Sequence, residues 1–415
     1  MIPTFAVSRL PRNLVFGAGQ RATLAGYAAP LGQRALVVTD DRLAGDNQFL
    51  ALMDSLIRAG MALKIYAGTQ PELPASSILD GLAVGTAFKA DMVIGIGGGS
   101  CLDAAKVIAL LLSHGGSPAD YYGEFKVPGP ILPLIAIPTT AGTGSEVTPV
   151  AVVSDPDRAV KVGMASPHLI PHTAICDPEL TYSYPPGLTA VSGADALTHA
   201  IEAFTTLRRS VDAATVHEHV FVGKNSFSDH YALQAIRKIS SSLLAAYHNG
   251  ADPVARADLM LGATLAGLAF GAAGTAAAHA VQYPVGALTH TPHGAGVAVM
   301  MPYVMEFNAS HAEVEMAEIA DAMGVADAGA GQAAKAAAAI EAVAALFAAV
   351  GIPRTLRDLG LSQDKLGWTG EAALGATRLI KNNPRPLDAQ SMALLVDSAF
   401  RGDRAALRGP LKEWS

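Results

Sequence analysis

The feature that most restricts this chain's fold is a change of periodicity near residue 183. Before it, short apolar runs at 34–40, 91–96 and 133–138 read as buried strands, and 46–60 and 75–89 carry helical spacing of apolar residues. That alternation predicts a parallel sheet with helices on both faces. Residues 147–161 read as a β-hairpin turning at Asp155-Pro-Asp157. Beyond 183 the strand signal fades. Segments 186–206, 228–247, 253–280, 293–306, 311–323, 331–350, 354–358, 370–378 and 387–400 all read as helices, punctuated by turns such as Gly351-Ile-Pro353 and Asn382-Asn383-Pro384. The expected fold class is therefore α/β plus all-α, with a parallel-sheet domain at 1–182 and an all-helical domain at 183–415.

Composition removes several classes of function. A chain of 415 residues that is 51% hydrophobic has enough apolar side chain for two cores and is not intrinsically disordered. Its net charge of −7 gives no electrostatic footprint for nucleic acid or anionic lipid, so neither is an expected partner. Two cysteines, Cys101 and Cys176, make no disulfide framework and read as small buried residues in a reducing compartment. The N-terminal residues lack a basic segment followed by a long apolar run, so a cytoplasmic location is expected. The uncharged stretch 260–278 is long enough to span a bilayer, but its Ala, Gly and Thr content leads straight into His279. A packed internal helix is the better reading.

Two glycine-rich loops carry the first chemical signal. Gly97-Gly-Gly-Ser100 follows the strand 91–96 and opens a helix, where free amides and the helix dipole favour a phosphate. Ser100 is placed as its N-cap and Asp103 as the capping-box acid; a tight turn with a good cap is the plain alternative. The spacing is neither a Walker A loop nor GxGxxG. A second loop, Pro138-Thr-Thr-Ala-Gly-Thr-Gly-Ser-Glu146, ends another strand and supplies hydroxyls and amides. Two such loops at strand carboxyl ends suit a diphosphate and its sugars. Asp40, at the end of the first strand, either holds a ribose 2′-hydroxyl, which favours NAD over NADP, or serves as a turn or cap residue.

The second signal is a set of metal donors. Asp195 and His199 stand four residues apart in Gly193-Ala-Asp-Ala-Leu-Thr-His-Ala-Ile-Glu202, on one helical face. His279 ends the Ala/Gly-rich helix and His293 follows in Thr291-Pro-His-Gly-Ala295. One oxygen and three nitrogen donors suit Fe(II) or Zn(II) and leave room for a substrate oxygen. Glu202 is placed as an outer partner or a cap. His217, His219 and His230 read as solvated, and His290 has no clear role.

In combination these motifs resemble the iron-containing (group III) alcohol dehydrogenase family. The matching stretches are 97–106, 138–147, 177–181, 193–203, 279–294 and Asn383-Pro-Arg385. The resemblance implies a Rossmann-like N-terminal domain, a helical C-terminal domain in a dehydroquinate synthase-like architecture, and a cleft between them for NAD(H) and iron. It implies metal ligands at Asp195, His199, His279 and His293. It implies cofactor contacts at Asp40, Gly98, Gly99, Ser100, Asp103, Thr139, Thr140, Thr143, Ser145, Lys161 and Leu180. It further implies a homodimer or higher homo-oligomer. Three departures stand out: Tyr283 replaces a second histidine often credited with proton relay, Pro71-Glu72 replaces an Asn-Pro, and 207–227 looks like an insertion. The last, with the His-x-x-x-Tyr-Pro pattern, is similar to the hydroxyacid–oxoacid transhydrogenase branch.

The activity implied is hydride transfer between an alcohol carbon and NAD with the metal as Lewis acid, His279 being a ligand and Tyr283 a candidate proton relay. Alternatives are a transhydrogenase or 4-hydroxybutyrate-type dehydrogenase, and a non-redox metal- and NAD-dependent lyase on the same scaffold. The lyase calls for more Lys and Arg around the metal segments than the sequence has. The substrate is an alcohol, aldehyde or hydroxyacid, and Arg208, Arg209 or Lys381 are the cations expected to reach a carboxylate.

Overall fold

The computed structural model describes residues 5–158, 161–210 and 212–409. Its strands are β1 (Asn13–Phe16), β2 (Arg34–Val38), β3 (Ala62–Tyr66), β4 (Met92–Gly97), β5 (Gly123–Glu124), β6 (Leu134–Pro138), β7 (Val150–Val153), β8 (Val162–Ala165) and β9 (Thr173–Cys176). Six form one sheet in the order β1-β9-β6-β4-β2-β3, every neighbouring pair parallel. Helices α1 (Asn47–Arg58), α2 (Ala75–Phe88) and α3 (Gly99–His114) cover its faces. Side-chain alternation decides which. Ala35, Val37, Ile94, Ile96, Ile135 and Ile137 pack with Phe49, Leu52 and Leu56 of α1, while Leu36, Val38, Val93 and Leu134 pack with Ile78 of α2 and the apolar face of α3. Each fully buried aliphatic of this kind contributes about 1.5–3 kcal/mol.

The strand order locates a crevice. From β2 the chain steps outward to β3, then returns to lay β4 on the other side of β2. Neighbouring connections thus diverge between β2 and β4, and the carboxyl ends of a parallel sheet open a binding crevice at such a point. Asp40 and Gly97-Gly98-Gly99 stand there. A small second sheet, β5-β8-β7, lies beside it. It is joined to α3 by Lys106, whose fully buried ammonium donates to the Thr148 carbonyl (3.0 Å), the Thr148 hydroxyl (3.2 Å) and the Val150 carbonyl (2.7 Å). Burial lowers that lysine's pKa to about 8, against the pull of Asp103 and Glu146.

From Pro186 onward the described chain is helical. The longer helices are α4 (Pro186–Thr205), α5 (Ser226–His248), α6 (Pro253–Ala273), α7 (Ala277–Thr289), α8 (His293–Asn308), α9 (Glu313–Met323), α10 (Gln332–Ala349), α11 (Leu366–Gly375) and α12 (Ala389–Arg401). One core runs through them. By length and composition alone α6 and α10 could each cross a membrane. The apolar window of α6 is 72% buried, packed on α4 and α5, and α10 turns Ala336, Ala339, Ile340, Val343 and Phe347 inward.

Several sequence expectations are corrected. The helix expected over 253–280 is two helices: α6 stops at Gly274, which takes φ 82°, and α7 restarts at Ala277. His279 therefore lies in the first turn of a new helix. No helix forms at 354–358, because the Thr355 and Asp358 side chains satisfy each other's backbone amides in a turn. Helix 370–378 is broken at Ala376. The hairpin lies further along than 147–161, pairing Val150–Val153 with Val162–Ala165; positions 159–160 at its tip lie outside the described residues, as does 211 in the insertion. Strands β1, β3, β5 and β9 are additions to the three strands and the hairpin read from sequence.

Candidate active site

The two glycine-rich loops lie against each other. Thr139 N donates to the Gly97 carbonyl (2.9 Å), and a Cβ at Gly99 would come within 2.6 Å of Thr143 Cγ2. The N-cap of α3 is Gly98, two residues before the expected Ser100, which instead lies inside the first turn. Asp103 does not close a capping box. Its Oδ1 accepts from the Ser145 hydroxyl (2.6 Å) and its Oδ2 from Val152 N (2.9 Å), so it ties the second loop and the small sheet to α3. Burial raises its pKa, and Lys106, Ser145 and Val152 counter that.

Gly99, Ser100, Asp103, Thr143, Ser145 and Lys161 line one large cleft. Thr139 and Leu180 line a separate, smaller pocket with Leu43, Phe49 and Tyr184. Thr140 covers Gly98, its Cγ2 standing 3.1 Å from where a Cβ there would lie. Asp40 caps the one-turn helix Asp41–Ala44 through Oδ1 (2.8 Å to Leu43 N), while Oδ2 faces Cys101 Sγ at 3.8 Å. Of the two readings of Asp40, the cap is the one this geometry shows. In the Pro71-Glu72 segment, Glu72 and Leu73 take φ 64° and 50°, and Glu72 pairs with Lys161 across the cleft mouth.

The four candidate metal donors converge from three helices. Asp195 and His199 project from α4, His279 from the first turn of α7 and His293 from the first residue of α8. One donor atom from each lies within 4.8 Å of all the others. His199 Nδ1 and His293 Nε2 stand 3.7 and 3.9 Å from Asp195 Oδ1. A tetrahedron with ligand distances of about 2.1 Å has edges of roughly 3.4 Å, so a modest contraction suffices. Asp195 Oδ1, His199 Nδ1 and His279 Nε2 are buried and have no hydrogen-bond partner. Three orphaned donors facing one point fit a divalent cation, because leaving each unsatisfied costs about 1–3 kcal/mol. Burial pushes Asp195 up to about 7 and holds His199 and His293 well below the usual imidazole range, which keeps both rings neutral as metal donors must be.

Glu202 emerges as the organising residue behind them. Its fully buried carboxylate accepts from Ala276 N (3.0 Å) and Ala278 N (2.7 Å), capping α7 from another helix, and meets His279 Nδ1 at 2.6 Å. That contact fixes the ring so that Nε2 faces the site. Phe270 stacks on His199 at 4.4 Å and 16°. Glu202→Gln is expected to lower metal affinity about 10- to 100-fold while the helices stay formed. Metal retained after dialysis against graded chelator, with circular dichroism as control, checks it; unchanged retention would remove Glu202 from this role.

Tyr283 lines the same cleft, its ring 6.3 Å from that of His293, and burial raises its phenol above the ordinary value, although Arg378 pulls the other way. His217, His219, His230 and His290 are exposed and stand outside the donor cluster. Of the three expected cations, Arg208 is bound to Asp229 (2.5 Å), Arg209 donates to Asn382 (3.2 Å), and Lys381 is exposed away from the cleft lining. The cationic side chain that does reach the lining from this region is Arg378, together with Phe221 from the insertion. Nothing in the sequence marks either, since both arrive from segments without motif.

The sequence pattern described as iron-containing alcohol dehydrogenase matches residues 11–178, and that described as Fe-containing alcohol dehydrogenase family, C-terminal, matches 189–400. Long-chain-alcohol dehydrogenase 1 of Geobacillus thermodenitrificans is 38% identical over 370 residues, which cover 88% of this chain and 89% of that protein. A crystal structure of 1,3-propanediol oxidoreductase superposes with a TM-score of 0.89 at 32% identity, over 95% of this chain and all of that one (100%). Sulfoacetaldehyde reductase from Bifidobacterium kashiwanohense, solved in complex with NAD+, superposes with a TM-score of 0.80 at 25% identity, over 96% and 99% of the two chains.

Proposed function

The chain belongs to the iron-containing alcohol dehydrogenase family, and from that premise we propose that its cleft interconverts a small alcohol and its aldehyde, with 1–182 holding NAD(H) and 183–415 holding metal and substrate. It is an NAD-linked, metal-dependent oxidoreductase. The observation that carries the site assignment is the set of orphaned donors on Asp195, His199 and His279, with His293 beside them. Iron, or zinc on the same donors, would be held by these four side chains and would supply Lewis-acid polarisation of the substrate oxygen, while bound nicotinamide would supply the hydride acceptor or donor.

The chain's own residues do the rest. One carboxylate and three neutral imidazoles leave a divalent site with net positive charge, which favours an anionic oxygen over a neutral alcohol. Glu202 holds His279 in the productive orientation. The amides at the start of α3 and the Thr143 hydroxyl receive the diphosphate and its sugars, Ser145 holds their loop to Asp103, and Asp40 receives the ribose 2′-hydroxyl through Oδ2. Phe270, packed on His199, keeps water from the donors. Tyr283, its phenol pushed toward the protonated form by burial, serves as a hydrogen-bond donor in proton release. The two buried, unpaired cysteines suit a reducing cytoplasm.

The test is anaerobic purification, metal analysis and an NADH-oxidation screen over aldehydes, with light scattering to read the homo-oligomer. Activity that needs added NAD(H), disappears on chelation and returns with Fe(II) is expected. Full activity in a metal-free preparation would sink the assignment.

A further inference from the structure

Resting on that reading of the cleft, we propose that Arg378 selects substrates bearing a terminal anion, a carboxylate or sulfonate at the end of the chain remote from the reacting carbon. The reasoning is a charge inventory of the cleft wall. Its acids are already engaged: Asp195 among the metal donors, Asp103 by Ser145 and Val152, and Glu72 by Lys161. Lys161 is engaged in turn. Arg378 is not. Among the described residues its guanidinium has neither a carboxylate nor a hydrogen-bond acceptor, although it is half-buried and lines the same cleft as His279 and Tyr283.

Its position is also fixed. The guanidinium carbon lies 4.3 Å over the ring of Phe221. Phe221 is itself held, because Glu124 accepts from Val220 N (2.6 Å) and Phe221 N (3.4 Å), and Val222 N donates to the Ala272 carbonyl (2.8 Å). Residues 220–222 thus build a platform that aims a planar cation into the cleft, and Arg209 adds like charge. Guanidinium is the group whose fork matches carboxylate and sulfonate oxygens, and a half-buried cation with no anionic partner is free to take an incoming anion. The cofactor phosphates are a poor match, because they are assigned to the start of α3, whereas the Arg378 guanidinium lies beside Phe221 and Gly274.

The experiment compares kcat/KM of the iron-loaded enzyme for succinic semialdehyde, sulfoacetaldehyde and pentanal, in the native protein and in Arg378→Gln and Arg378→Lys. Arg378→Gln is expected to lose about a hundredfold on the preferred anion, mainly through KM, with pentanal and the KM for NADH unchanged and Arg378→Lys in between. Whichever anion shows the larger loss identifies carboxylate or sulfonate. Equal losses on pentanal, no loss on either anion, or a raised KM for NADH would each overturn the proposal. A native enzyme that oxidises NADH with pentanal but with neither anion overturns it too, and leaves the dehydrogenase reading standing. A native enzyme that turns over none of the three overturns both.

Discussion

Replacing His279 by alanine is expected to remove the bound metal and lower kcat/KM on the order of a thousandfold or more. Lewis-acid polarisation contributes several kcal/mol of transition-state stabilisation, and each 1.36 kcal/mol is a factor of ten. His279 is the donor whose loss separates metal binding from folding most cleanly. Its Nδ1 is committed to Glu202 and its Nε2 has no partner in the protein, so the ring is held for a ligand that is not protein. Without the imidazole, Glu202 still accepts from Ala276 N and Ala278 N, so the start of α7 keeps its cap. Metal content by elemental analysis should therefore fall while near-UV circular dichroism is retained. His290→Ala, on an exposed residue at the end of the same helix, should change neither. A His279→Ala protein that keeps stoichiometric metal would show that the donors lie elsewhere.

Gly144→Val is expected to cost on the order of 3–5 kcal/mol, enough to reduce soluble yield and lower the melting temperature sharply. Two penalties combine. Gly144 takes φ 62°, where a β-branched residue is strained by about 1–3 kcal/mol. Any Cβ there would also lie 2.5 Å from the Cα of Gly267 in α6, and backbone cannot swing aside as a side chain does. The second phosphate-side loop is pressed onto the helical half by a glycine-on-glycine contact, and widening it shifts Thr143 and Ser145 away from α3. Gly267→Ala is the milder companion, its Cβ meeting Val147 Cγ2 at 2.8 Å and Gly144 Cα at 2.9 Å. Thermal melts and NADH binding by fluorescence check both. A Gly144→Val protein with native melting temperature would mean that the loop and α6 are not in contact.

Most of the secondary structure was legible because periodicity is a local property. The strands at 34–38, 92–97 and 134–138 are near-continuous apolar runs, as strands buried on both faces must be. Strand β3 was not legible: Ala62–Tyr66 is an edge strand, largely exposed, and its Lys64 breaks the apolar run. The helix boundary at Gly274 was hidden for a different reason. The stretches on either side are rich in alanine; Gly274 ends α6, and what starts α7 is a carboxylate from α4 capping the new helix.

The α/β-then-helical order, the two glycine-rich loops and the shared helical face of Asp195 and His199 were legible in local sequence, because spacing along one element sets which side chains share its face. His279 and His293 stood as candidate donors on other segments, without such a spacing. It takes the packing of separate helices to bring those candidate donors within 4.8 Å, to let Glu202 both cap α7 and orient His279, and to put Arg378 rather than Arg208, Arg209 or Lys381 in the cleft lining. Each of these joins residues from separate helices. Which of several similar side chains reaches a shared cavity depends on how packed helices are rotated against one another, and no single stretch of sequence carries that information.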